Sequence, residues 1–182
     1  MIILIAGASH TGKTVLAQKL LEQHHYPYLS IDHLKMGLIR SGNTNLTVFD
    51  DESLTEYLWP IVREMVKTAI ENGQNLIVEG CYIPFNWKDS FVESYRAQIR
   101  AIRLIMAKEY IEAHFDEILS HASDVEHRLD DSDCTKESLI QANAEELSLS
   151  IRHDCSYILI ERDYDLAEAA NLILNPEGAV CV

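Results

Sequence analysis

Residues 7 to 14 read Gly7-Ala8-Ser9-His10-Thr11-Gly12-Lys13-Thr14, two glycines five positions apart with a lysine and a threonine directly after the second. Glycines so placed let the backbone turn tightly with its N–H groups facing inward, and such a loop attracts an anion before any side chain is counted. The lysine would then reach the outer phosphates of a nucleoside triphosphate, and the hydroxyl after it would ligate Mg²⁺. Gly7, Ser9, His10, Thr11, Gly12, Lys13 and Thr14 are thus the candidate ATP-phosphate ligands, with Thr14 also a candidate ligand of Mg²⁺.

A phosphate cradle alone serves a kinase, an ATPase or a GTP switch, so further acids and cations matter. The guanine-reading pattern Asn-Lys-x-Asp is absent from the chain, which argues against a switch. The run Leu76-Ile77-Val78-Glu79-Gly80 ends a candidate strand in a carboxylate, and Glu79 would hold Mg²⁺ through water or face the acceptor. An earlier run ends in Ser30-Ile31-Asp32, followed by Lys35 and Arg40. A carboxylate there can take the proton of a substrate hydroxyl, and the two cations suit an anionic acceptor. Asp32 also stands where a helix N-cap would stand, and both roles remain open from sequence.

These residues need elements to bring them together. Ile2 to Ala6 is a continuous apolar, β-branched run, as in a strand buried on both faces of a parallel sheet. Leu16, Leu20 and Leu21 follow at helical spacing, so the glycine loop joins a strand to a helix N-terminus, where about half a positive charge resides. Four further short apolar runs, 28–31, 75–79, 101–106 and 157–160, alternate with helical pattern. Repeated strand–helix–strand units predict a doubly wound, parallel five-stranded sheet flanked by helices. Leu54 to Ile70 keeps a helical stripe, Gly73 stops it, and Pro60 marks a kink or the first turn of a second helix. Residues 86 to 97 are expected to form one helix, and 164 to 174 a closing one. The acidic stretch from about 110 to 136 reads either as a solvated surface loop or as a mobile lid that closes over the nucleotide.

The 182 residues predict one domain, and 47% apolar composition is ample for its core. The formal charge of −14, with no basic stripe, argues against nucleic acid as a partner. No apolar run approaches the ~20 residues of a membrane span, and no leader pattern opens the chain, so a cytoplasmic protein is expected. Cys81, Cys134, Cys155 and Cys181 are widely spaced and predict reduced, mostly buried thiols rather than a disulfide framework or metal site. Oligomeric state is not legible.

With the loop after the first strand, the acid after the second and the short α/β length, the chain resembles the P-loop kinases of nucleotides and small molecules. Ile31 to Gly42 is similar to the acceptor-binding segment of adenylate kinases, with Lys35 where that family has an arginine. Arg128-Leu129-Asp130-Asp131 is similar to the Arg-x-Asp-Asp of their lid. The resemblance implies an ATP- and Mg²⁺-dependent transfer of the γ-phosphoryl group to a small-molecule acceptor. In it Lys13, Asp32 and Arg128 would be catalytic, Arg128 arriving with the lid, and Arg152 a further phosphate contact. Two segments depart from adenylate kinases, whose loop reads Gly-x-Pro-Gly-x-Gly-Lys: Ala8 to Thr11 stands between the two glycines here, and Glu79 to Pro84 replaces their Asp-Gly-Phe-Pro-Arg. An acid after strand two also fits kinases of a hydroxyl, such as chloramphenicol phosphotransferases, zeta toxins and 2-phosphoglycerate kinases. Other readings are a nucleotide-binding regulator or slow ATPase without an acceptor, and a polynucleotide 5′-end kinase, which the acidity opposes.

Overall fold

The computed structural model describes residues 1–121, 134–162 and 165–174. Its strands are β1 (Ile2–Gly7), β2 (Tyr28–Ser30), β3 (Leu76–Glu79), β4 (Ile99–Met106) and β5 (Tyr157–Ile160). Its helices are α1 (Lys13–His24), α2 (Ile31–Arg40), α3 (Asp51–Glu71), α4 (Glu93–Arg96), α5 (Lys108–His121), α6 (Lys136–Arg152) and α7 (Leu166–Leu174). All pairings are parallel and the spatial order is β2-β3-β1-β4-β5. The expected doubly wound, five-stranded parallel sheet is present.

The central strand shows why the sequence folds this way. Every residue of β1 is buried. Ile2, Leu4 and Ala6 face one core with Leu58, Val62 and Val66 of α3, while Ile3 and Ile5 face another with Leu16 and Leu20 of α1 and Ala170 of α7. A strand covered on both sides has no polar face, which is why its sequence does not alternate. β1 stands between β3 and β4 while β2 lies beyond β3, so the chain reverses its direction of travel across the sheet beside β1. In such sheets the crevice outside the strand carboxyl ends at that reversal is the place for a ligand.

Three expectations are corrected. One helix runs through Pro60, which lies on its exposed side, so no second helix begins there. Residues 86–97 are not one helix: a 3₁₀ turn at Trp87–Ser90 is followed by extended Phe91 and Val92 and then by α4. Trp87 and Phe91 are both buried, and Phe91 meets Trp59 and Trp87 edge-on at 6.1 and 6.2 Å. Packing both rings overrides the helical spacing. β4 begins at Ile99, two residues earlier than the apolar run suggests. Of the acidic stretch from about 110 to 136, residues 122–133 lie outside the described residues. Its flanks are the end of α5 and the start of α6, the latter closed by a capping box between Thr135 and Ser138. Among the described residues no helix is long and apolar enough to cross a membrane.

Candidate active site

The loop after β1 is built by backbone geometry. Gly7 has φ 139°, and a Cβ there would stand 2.3 Å from the carbonyl oxygen of Leu104 on β4, so only glycine fits the crossing. Gly12, at φ 80°, turns the chain into α1, and its carbonyl accepts the first helical bond from Leu16 N–H at 2.9 Å. His10 takes the left-handed conformation at φ 66°, which is uncommon for a residue with a side chain. Inside the turn, the Ala8 carbonyl accepts from Thr11 Oγ1 at 3.0 Å and from Lys13 Nζ at 2.6 Å. Lys13 is 7% exposed, so its ammonium is folded over the loop rather than trailing in solvent. The first turn of α1 contains no acid, and the positive end of the helix is not offset from within. Thr14 is half-buried in that turn, and Ser9 lies exposed at the rim.

Three strand ends gather beside this loop. Glu79 closes β3 and is 1% exposed; the register sets it against Ile5 of β1 and Ser30 of β2. Gly80 N–H then donates to the Ile5 carbonyl at 3.1 Å. Next to Ser30, Asp32 sits within the first turn of α2, not before it, and Ser30 holds the N-cap position. The cap reading of Asp32 is therefore set aside, since its carboxylate accepts from Lys35 Nζ one turn on. Lys35 also donates to the hydroxyl of Tyr82 at 3.1 Å, and Tyr82 donates to Asp51 Oδ1 at 2.9 Å. The relay joins α2, the segment after β3 and the start of α3. Tyr82 is buried, and burial, then the charges of Asp51 and Asp32, raise its phenol far above the usual value. It stays protonated at any physiological pH.

Cys81 occupies the middle of this arrangement. The residue as a whole is exposed while its thiol is enclosed, and Lys13, Asp32 and Glu146 all act on that thiol. Desolvation raises that thiol above its ordinary value, and Lys13 opposes the shift. Behind it, Arg103 on β4 is 3% exposed. Its guanidinium donates to Glu146 Oε2 at 2.8 Å and to the Ile83 carbonyl at 2.6 Å, and stacks 3.6 Å from the Phe85 ring centre. A buried charge survives only with such complete pairing. From the other side Cys134, at the head of α6, brings its sulfur to 3.8 Å from His10 Nδ1.

The candidate residues divide accordingly. The loop, Glu79, Asp32 and Lys35 meet at the carboxyl edge of the sheet. Arg152 does not: α6 starts against the loop, and its 17 residues carry Arg152 to an exposed position about 24 Å away along the helix axis. Arg40 is exposed at the far end of α2 and makes no ion pair among the described residues. Arg128 lies outside the described residues. Sequence reasoning missed Cys81, Tyr82, Asp51 and the Arg103–Glu146 pair. For Arg103 a signal existed, since an arginine inside the apolar run Ala101 to Met106 must find partners. For Cys81 and Tyr82 it was their place directly after a strand's carboxyl end.

No family model matches the chain, and no curated protein sequence does. Solved structures do. A shikimate kinase from Acinetobacter baumannii, in complex with shikimate, superposes with a TM-score of 0.59 at 16% identity, covering 98% of this chain and 95% of that one. A sugar kinase from Janibacter sp. gives 0.58 at 17%, covering 98% of each. A deoxyadenosine kinase from M. mycoides with bound dATP gives 0.57 at 15%, covering 98% and 100%. At these identities the likeness is one of fold: this chain shares the architecture of these three kinases.

Proposed function

We propose that this chain is an ATP- and Mg²⁺-dependent kinase that transfers the γ-phosphoryl group to a hydroxyl of a small molecule. The observation that carries the reading is the loop itself: a glycine turn that opens α1, with Lys13 folded over it and Asp32 two strands away on the same edge. The shared fold with kinases of shikimate, a sugar and a deoxynucleoside supports it.

In this reading the loop amides bind the β- and γ-phosphates, and Lys13 exchanges the Ala8 carbonyl for a phosphate oxygen. Its charge and the α1 dipole then face the oxygens on which negative charge gathers in transfer. The Thr14 hydroxyl and the Glu79 carboxylate are hard oxygen donors at the mouth of the loop, a set suited to Mg²⁺, which would neutralise charge on the phosphates when bound. Asp32 accepts the proton of the acceptor hydroxyl as the new P–O bond forms and the bond to the β-phosphate oxygen breaks. Lys35 aims that carboxylate through the hydrogen bond it donates to it. Because Lys35 is paired with Asp32, its charge is offset, which favours a neutral hydroxyl over a phosphate as acceptor. Arg128 would add its charge to the transferred group. The acidic surface and small-molecule site suit an enzyme of the cytoplasm that binds neither nucleic acid nor membrane.

The test is a coupled ADP-release screen with Mg²⁺ over nucleosides, nucleoside monophosphates, sugars and hydroxy acids. One hydroxyl class should accelerate ADP release well above the rate with ATP alone. Release that no acceptor changes would favour the regulator or slow ATPase, and acceleration by monophosphates only would restore the adenylate-kinase type.

A further inference from the structure

β4 is longer than its outer neighbour. β1 runs beside it from Ile99 to Leu104, but β5 begins only opposite Arg103, so the first four residues of β4 have an open flank. Backbone groups of a parallel strand point alternately to either side. Arg103 N–H donates toward the β5 side, to the Ser156 carbonyl at 3.0 Å, so the N–H and C=O of Ala101 point the same way. No described strand stands there to meet them.

A cavity of about 620 Å³ lies against that flank. Ile99 and Ala101 form its floor, Trp87 one wall, and Ile173 in the last turn of α7 the far side. None of its lining residues belongs to the phosphate loop. Its charge is opposite to that of the molecule: Lys88, Arg96, Arg100 and Arg103 line it, with Glu93 the only acid among the described residues of its lining, in a chain with 15 Lys and Arg against 29 Asp and Glu.

Two of those cations are already committed. Arg103 holds Glu146, and Arg100 donates to the carbonyls of Ile173 and Leu174. Arg96 holds Glu93 through Nη2 at 2.8 Å, but its Nε is buried with no hydrogen-bond partner among the described residues. A desolvated guanidinium N–H without an acceptor is costly, so this arginine is incompletely satisfied within the chain. Lys88 donates to the Asp154 carbonyl at 3.1 Å and forms no ion pair among the described residues.

We propose that this cavity is a second ligand site, for an amphipathic organic anion: a flat apolar body on Trp87, Ile99 and Ala101, with its acidic group on Arg96 and Lys88. The volume is that of a typical small-molecule site, and an apolar lining with a few convergent polar groups is its usual form.

The probe is 1-anilinonaphthalene-8-sulfonate, titrated by fluorescence into the full chain beside its uncharged relative N-phenyl-1-naphthylamine. The sulfonate should bind saturably, at one site, at least tenfold tighter than the neutral compound, and saturating ATP with Mg²⁺ should leave it in place. Arg96→Gln, at a partly exposed position that should leave the fold intact by circular dichroism, should weaken the sulfonate about tenfold and leave the neutral compound unchanged. Ala101→Leu, which fills the floor, should abolish both. Displacement by ATP would assign the probe to the phosphate loop and overturn the proposal. Equal affinity for the two compounds, or an unchanged sulfonate affinity in Arg96→Gln, would also overturn it.

Discussion

The loop proposed to hold phosphates and the mouth proposed to hold the acceptor lie on one edge of one sheet, yet they are built by different means. The loop is eight consecutive residues shaped by backbone: a glycine where a Cβ would stand 2.3 Å from the Leu104 carbonyl oxygen, a left-handed His10, and one carbonyl that gathers Thr11 and Lys13. The acceptor mouth is made of side chains from separate elements: Asp32 and Lys35 of α2, Asp51 of α3, Cys81 and Tyr82 after β3, and Glu146 of α6. A local cradle needs only its own sequence to take shape. A mouth assembled from four segments acquires its geometry from the whole fold, and its charges settle among themselves before any substrate arrives.

The largest expected effect tests the cradle. Lys13→Ala should lower phosphoryl transfer by about 10³-fold or more, because a charge aimed at the transferred group acts most strongly in the transition state. The loop should keep its shape, since the Ala8 carbonyl retains Thr11 Oγ1 as a donor. Steady-state ADP release together with circular dichroism measures both halves; near-normal turnover in a folded variant would remove the loop from the mechanism.

The next effect belongs to the mouth. Asp32→Asn should reduce kcat about 10²-fold while KM for ATP holds, as expected for a base lost from an otherwise intact nucleotide site. Lys35 keeps its bond to Tyr82 in this variant, so the relay does not collapse with the carboxylate. An unchanged kcat with a shifted KM for the acceptor would make Asp32 a binding group and not a base, and the contrast between the two regions would then lie in affinity alone.

The same contrast explains what was legible from sequence. β1, the loop and the five-strand order of elements follow from contiguous patterns: an apolar run with no alternation, then glycines, then a 3.6-residue stripe. Glu79 and Asp32 could be placed because one ends a strand and the other follows two residues after one, and strand ends share an edge. Arg152 could not, because its distance from the loop depends on which end of α6 meets His10, a fact that Cys134 supplies only in three dimensions. The break at Phe91 was hidden for a similar reason, as Phe91 leaves the helical spacing to meet Trp59 and Trp87 edge-on. Tyr82 lies 31 residues from Asp51 and 47 from Lys35, and no local period encodes such pairs.

The smallest effect examines how the mouth holds itself together. The Tyr82 phenol is kept protonated by burial beside Asp51 and Asp32, so its folded pKa lies above its unfolded value of about 10. The unfolded chain therefore releases this proton first as pH rises. The contribution to stability is complete below about pH 10 and declines above it, as the pH moves toward the folded pKa. In Tyr82→Phe that decline is missing, because phenylalanine has no proton to lose. At pH 8 the variant should be less stable by about 1 kcal/mol, the usual worth of a hydrogen bond, with Asp51 left without its donor. Between pH 9.5 and 11 the wild type should lose stability faster and the gap should narrow. Urea midpoints across that range decide the matter. Parallel curves would mean that the hydroxyl is no better shielded in the folded protein than in the unfolded chain, and that the relay from Lys35 to Asp51 is too loosely closed to aim Asp32.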